Sequence, residues 1–139
     1  AQGMVVELSA SANSNLYAFN VTAPRTSGGN NYGFASGGSI LIQPASTTVL
    51  APKTNTVTAI GNISGDVASI SVNGETPNTN TSDQGTGNYG NYPIYIGGRA
   101  GTLLPFNGNL YSLIVRGALS DATEIDNSEA YVNGKTGAY

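Results

Sequence analysis

The sequence predicts an all-β domain, a sandwich or a barrel, with one short helix close to the C-terminus. Three observations lead there. Short runs rich in Val, Ile, Tyr and Phe recur along the chain with two-residue alternation. Gly, Pro, Asn and Ser separate these runs at short spacing. A single stretch, near Ser120, carries a helix-start signal. At 139 residues the chain is read as one domain, residues 1–139, large enough to bury a core without a metal or disulfide to hold it.

Residues 4–8 are a short apolar run and the first strand. Leu16, Ala18 and Asn20 then alternate with Tyr17, Phe19 and Val21, a second strand closed by Pro24. Residues 26–38, largely Ser, Gly and Asn with Tyr32 and Phe34 embedded, read as a loop or an irregular edge. Residues 40–42, the stretch around Val49 and residues 56–60 follow as short strands. In the next strand Val67, Ser69 and Ser71 alternate with Ala68, Ile70 and Val72, which predicts one buried and one wet face. Asn73-Gly74 is the sharpest hairpin signal, because a type I′ turn needs positive φ at both central positions. Residues 76–91 contain no aliphatic side chain and read as a long polar surface loop. The last two strands are residues 93–96 and 110–115. Ser120 or Asp121 caps the helix, Asp121 with Glu124 fits a capping box, Ala122, Ile125 and Val132 share an apolar face, and Gly134 ends it.

Composition narrows the chemistry. Charged residues make up 9% of the chain, against roughly 25% in an ordinary soluble domain, so the surface must be polar without being charged. A net charge of -3 offers no basic field to phosphates or anionic lipid, and neither nucleic acid nor membrane is expected as a partner. The chain has no Cys and no His, which removes thiolate nucleophiles, imidazole bases, zinc sites and the Ser-His-Asp arrangement together. No apolar run approaches the ~20 residues of a membrane helix, and residues 1–3 lack the character of a signal peptide; a soluble chain is expected. Its start at Ala1 with Met4 inside suggests a processed product or a piece of a longer protein.

In order along the second half stand Val72-Asn73-Gly74, a polar loop, Pro93-Ile94-Tyr95-Ile96-Gly97-Gly98-Arg99, Phe106-Asn107-Gly108-Asn109-Leu110-Tyr111-Ser112-Leu113-Ile114-Val115 and Ala118-Leu119-Ser120-Asp121-Ala122. This order resembles the concanavalin A-like lectin/glucanase fold, specifically laminin-G-like (LamG) domains. The ending Glu129-Ala130-Tyr131-Val132-Asn133-Gly134-Lys135-Thr136-Gly137 is similar to LamG domains of bacteriophage tail and other virion proteins. The first half matches by strand pattern only. The resemblance implies a concanavalin A-like jelly-roll β-sandwich with one short C-terminal helix. Complete members of the family are usually longer, so the chain is either a compact variant or a fragment whose missing strands come from elsewhere. Gly97 and Gly98 are expected where a Cβ would clash, Phe106 and Leu110 as core anchors, and Asn107-Gly108 as a turn setting the register of the following strand.

Glycosidases related to that fold carry Glu-x-Asp-x-Glu on one strand, and this chain has no such run. The acidic cluster Asp121, Glu124, Asp126 and Glu129 reads as helix capping and as charge favoured near a helix N-terminus, and Lys53 as a solvated loop lysine. No catalytic residue is nominated and no enzyme is expected. LamG domains often bind Ca²⁺ through carboxylates and carbonyls, for which Asp66 and Asp83 are the candidates, although Asp in a Gly-rich turn ordinarily bonds its own backbone; no other cofactor is expected. Glycans are held by aromatic faces together with amides, which nominates Tyr32, Phe34, Asn88, Tyr89, Asn91 and Tyr92. An oligomer interface or loop anchoring accounts for these aromatics equally well. The expected function is that of a non-catalytic, extracellular, virion-associated domain of a phage tail or fibre that binds a bacterial surface polysaccharide. The alternative is a structural or decoration domain packed against neighbouring virion subunits, further copies of itself included.

Overall fold

The computed structural model describes residues 1–12, 14–48 and 53–139; Val49, nominated above for a strand, lies outside them. Nine strands are found among the described residues: β1 (Met4–Leu8), β2 (Ala18–Thr22), β3 (Asn31–Gly37), β4 (Leu41–Ile42), β5 (Ala45–Thr48), β6 (Val57–Asn62), β7 (Val67–Val72), β8 (Asn78–Asn80) and β9 (Ile94–Ile96). One helix, α1 (Ala122–Thr136), follows. The strands form two antiparallel sheets. The larger has six strands in the order β4-β3-β2-β1-β9, with β5 also on β3, and the smaller has the order β6-β7-β8. The architecture is a β-sandwich with a C-terminal helix.

The core lies between the sheets. Phe34 and Ile42 of the larger sheet meet Ala68 and Ile70 of the smaller one, with Phe19, Val21, Tyr32, Val57 and Ala59 packed around them. Register explains the selection, because cross-strand partners point to the same face of a sheet. Val6 pairs with Val21 and Val21 with Phe34, and Leu8 pairs with Phe19; these side chains face inward. Their neighbours along each strand, Glu7, Asn20 and Ala35, are also paired in series and share the outer face.

Several sequence expectations are corrected. Residues 31–37 are no loop: β3 joins β2, β4 and β5 and carries the core residue Phe34. Its small residues hide the alternation that marks a strand, while Gly33 and Gly37 let neighbours approach closely. The serine face of β7 is not wet, since Ser69 and Ser71 are each only 7% exposed. Residues 110–115 form no strand; among the described residues no ladder includes them. Leu110 is no core anchor, and Tyr111, Leu113, Ile114 and Val115 are exposed beside it. An apolar run becomes a strand only by pairing with an edge, and residues 110–115 pair with none of the described strands. Gly97 has φ 77° in open space, and a Cβ on Gly98 would come no nearer than 3.5 Å to another atom, so backbone conformation at Gly97, with no clash at either position, accounts for the pair.

The Asn73-Gly74 turn forms with φ of 55° and 69°, and Glu75 N–H closes it on the Val72 carbonyl at 3.1 Å. At α1 the N-cap is Asp121, and the box is complete: Glu124 N–H donates to Asp121 and Asp121 N–H donates to Glu124. The helix ends at Gly137 rather than Gly134, because Gly137 takes the left-handed conformation and returns its N–H to the Asn133 carbonyl at 2.7 Å. None of its side chains is fully buried, so the expected apolar face makes no core; the Thr58 hydroxyl donates to Glu129 and ties the helix to β6.

Candidate functional site

A cleft of about 410 Å³ opens on the outer face of the six-stranded sheet. Its floor follows from the register. Met4 pairs with Thr22 across a bulge that separates it from Val6, and Thr22 pairs with Gly33; Asn20 and Ala35 sit beside them. The walls come from loops: Gln2 before β1, Asn15 before β2, Arg25 and Thr26 after β2, Gln43 after β4 and Arg99 after β9. Amides, hydroxyls and two guanidinium groups therefore surround the space, and no carboxylate lines it.

Gly33 makes the cleft possible. A Cβ there would lie 2.6 Å from Arg25 Cγ and 2.7 Å from Thr22 Oγ1, inside any tolerable contact, so only glycine lets Arg25 cross β3. Arg25 is further held by its backbone N–H on the Asn31 carbonyl at 2.8 Å and by Nη2 on the Gln43 carbonyl at 3.4 Å.

Arg99 connects the cleft to a buried charge. Glu7, 1% exposed, lies beneath the loop that follows β9; its Oε2 accepts from Ala100 N–H at 3.0 Å, and its Oε1 stands 3.6 Å from Arg99 Nε. That separation is an ion pair without a hydrogen bond, and both Oε1 and Nε lack any hydrogen-bond partner. The other end of the guanidinium donates to Asn15. Burying a carboxylate is costly unless a cation accompanies it, so Glu7 fixes where Arg99 stands.

A second polar cluster sits inside the sandwich. Gln84 is fully buried, and its Nε2 donates to the Asn62 carbonyl at 2.9 Å, which leaves Oε1 to accept from Ser36 at 2.7 Å. The single proton of Ser36 is thereby used, so the Tyr89 hydroxyl 2.6 Å away is the donor to Ser36 Oγ. The Tyr89 ring packs edge-on against Phe19, with centroids 5.6 Å apart. Gly61 has no side chain to bar the hydroxyl; a Cβ there would overlap it. Burial raises the Tyr89 pKa above 10.0. Residues 76–91, expected to be a surface loop throughout, thus include β8, paired with β7, and send Gln84 and Tyr89 inward. Polar groups can enter a core when every hydrogen bond is made, and composition alone does not show that.

The residues nominated from sequence are spread out. Phe34 borders the cleft by position, but its side chain belongs to the core. Tyr32, on the same strand, packs against that core and accepts from Asn55 at 3.1 Å. Asn88 and Asn91 are exposed on the loop with Tyr89 and Tyr92; Tyr92 folds over Gly90, and Gly90 N–H bonds the Tyr17 carbonyl at 2.8 Å. Tyr32 lies four residues along β3 from Ser36, about 13 Å at the ordinary strand rise, so the two aromatic groups do not make one groove. Asp66 accepts from Gln84 N–H at 2.9 Å, and Asp83 from Gly85 N–H at 2.6 Å. Each spends an oxygen on a backbone amide, and among the described residues no group of three or more acidic side chains is placed to hold a metal ion.

Sequence reading missed Glu7, Arg99, Arg25, Asn15 and Asn20. One signal was present: Glu7 interrupts the apolar run Met4-Val5-Val6-Glu7-Leu8, and a charge inside such a run calls for a buried partner. Nothing local ties it to Arg99, 92 positions away in the chain. No protein-family model, no curated protein and no solved structure matches the chain.

Proposed function

We propose that the chain is a non-catalytic binding module that takes a hydroxyl-rich ligand, a host surface glycan, in the cleft on the six-stranded sheet, as part of a phage tail, fibre or similar virion structure. One observation carries the reading: a cavity of about 410 Å³ walled by Gln2, Asn15, Asn20, Thr22, Gln43 and two arginines. Such groups donate to and accept from hydroxyls and need no charge on the ligand. The order of motifs shared with LamG domains supports assigning the sandwich to the concanavalin A-like jelly-roll class and the chain to a virion exterior. Catalysis is disfavoured because hydrolysis of a glycosidic bond requires two carboxylates facing the sugar. Glu7 is a single carboxylate beneath a loop, engaged by Ala100 and Arg99. The reading requires no metal.

An oligosaccharide array probed with wild type, Asn20→Ala/Gln43→Ala and Tyr92→Ala tests it. Binding by wild type that falls at least tenfold in the cleft variant and persists in Tyr92→Ala is the expected result. Loss in Tyr92→Ala alone moves the site to the tyrosine loop and defeats the cleft assignment.

A second reading, packing against other virion subunits, is favoured by a different observation. Leu110, Tyr111, Leu113, Ile114, Val115 and Leu119 are all exposed within ten consecutive residues, a density that single-chain surfaces seldom carry. Sedimentation velocity of the purified chain tests it.

A further inference from the structure

We propose that the cleft selects an acidic saccharide, whose anionic group pairs with Arg25 while its hydroxyls meet the surrounding amides. The inference rests on the glycan reading above and adds the class of sugar.

Charge accounting carries it. The chain has 8 acidic and 5 basic side chains, yet none of the acids lines the cleft while two of the bases do. Arg99 is neutralised by Glu7 at 3.6 Å, as Arg116 is by Glu124 at 2.5 Å on the far side of the sequence. Arg25 has no ion pair among the described residues. Its one long hydrogen bond to the Gln43 carbonyl leaves most of a five-donor fork uncommitted. The net charge of the cleft is therefore that of Arg25, positive in a chain whose total is -3.

The position of that charge is built. Only glycine at residue 33 admits the Arg25 stem across β3, and Thr22 and Gly33 on the floor are buried, so the guanidinium is presented over a low-dielectric sheet with neutral donors around it. A planar fork of this kind matches a carboxylate, or an acidic ester of a sugar hydroxyl, through two parallel hydrogen bonds. A neutral sugar would leave the charge unpaired. Charge-assisted bonds are roughly twice as strong as neutral ones, which sets the expected preference at about tenfold or more at low salt.

Paired probes test it. Oligouronates are compared with their methyl esters, and sulfated galactan oligosaccharides with their desulfated counterparts, for wild type, Arg25→Gln and Lys135→Gln. Lys135 lies on α1 against Tyr131, away from the cleft, and its variant removes the same unit of charge. The proposal predicts that at least one acidic probe binds about tenfold more tightly than its neutral partner. The ratio falls toward one in Arg25→Gln and holds in Lys135→Gln; the pair showing the effect identifies the anionic group. Equal binding of acidic and neutral partners, or a preference that survives Arg25→Gln, overturns the proposal and leaves the glycan reading standing. If no probe in either set, nor any neutral glycan on the array, binds protein whose circular dichroism shows it folded, the glycan reading fails and takes the proposal with it.

Discussion

Tyr89 holds its place by donating one proton into an interior chain of hydrogen bonds, Tyr89 to Ser36 to Gln84, and burial lifts its pKa above 10.0. In the unfolded chain the same hydroxyl ionises near 10. Below that pH both states keep the proton and its stabilising bond is fully present; above it the unfolded state ionises first, and stability falls as pH climbs through 10 toward the folded value. Urea titrations should therefore give a level unfolding free energy between pH 6 and 9, where the chain has no histidine to titrate, and a decline above 10. Tyr89→Phe should cost about 1 kcal/mol at neutral pH and reduce the alkaline decline; an unchanged decline would place the titrating group elsewhere. The sequence nominated Tyr89 and did not show which way it points. An aromatic among Asn and Gly is the same string of letters whether its hydroxyl meets solvent or a buried serine, since the partner, Ser36, stands 53 positions away. The pairing of Glu7 with Arg99, 92 positions apart, was illegible for the same reason.

Among the elements, those defined by local rules were readable. β7 has the boundaries its alternation predicts, the Asn73-Gly74 turn has both positive φ values, and the Asp121–Glu124 box closes in both directions, because each depends on neighbours within a few residues. β3 and residues 110–115 went wrong in opposite senses. The glycines of β3 weaken its strand signal, yet flanking strands supply its hydrogen bonds; residues 110–115 have the signal and pair with no described strand. Helix α1 is a third case, correctly started and poorly docked. With no buried side chain it depends on its caps more than on packing. Asp121→Ala should accordingly speed amide exchange along α1 and lower helical dichroism, at a local cost of about 1 kcal/mol, while the unfolding free energy of the sandwich from urea titration stays within about 0.5 kcal/mol of wild type. A midpoint falling as far as the helix signal would show that the two unfold together.

At the scale of the molecule, two kinds of surface coexist. One is polar, with an arginine-bearing cleft sunk into the larger sheet; the other is an apolar ribbon over residues 110–119, where Ile114 is 53% exposed. Residues 101–115 carry no charge, so a partner meets no like-charge repulsion along most of it. If the ribbon packs against copies of the same chain, sedimentation velocity should show a concentration-dependent increase in mass, abolished by Ile114→Asp. A monomer at every accessible concentration would leave self-association without support and require a different partner. Sheet topology was legible from sequence only as a class, sandwich or barrel, since strand order is decided by contacts between distant segments.

The buried clasp of Ser36, Gln84 and Tyr89 also bears on the surroundings in which the domain can work. It ties β3 to the loop behind β8 and to the end of β6, a task that small exterior domains commonly give to a disulfide. Hydrogen bonds perform it here in a chain without cysteine, so the junction is indifferent to thiols and oxidants. A change between reducing and oxidising surroundings therefore leaves the tie between β3, β6 and that loop unaltered.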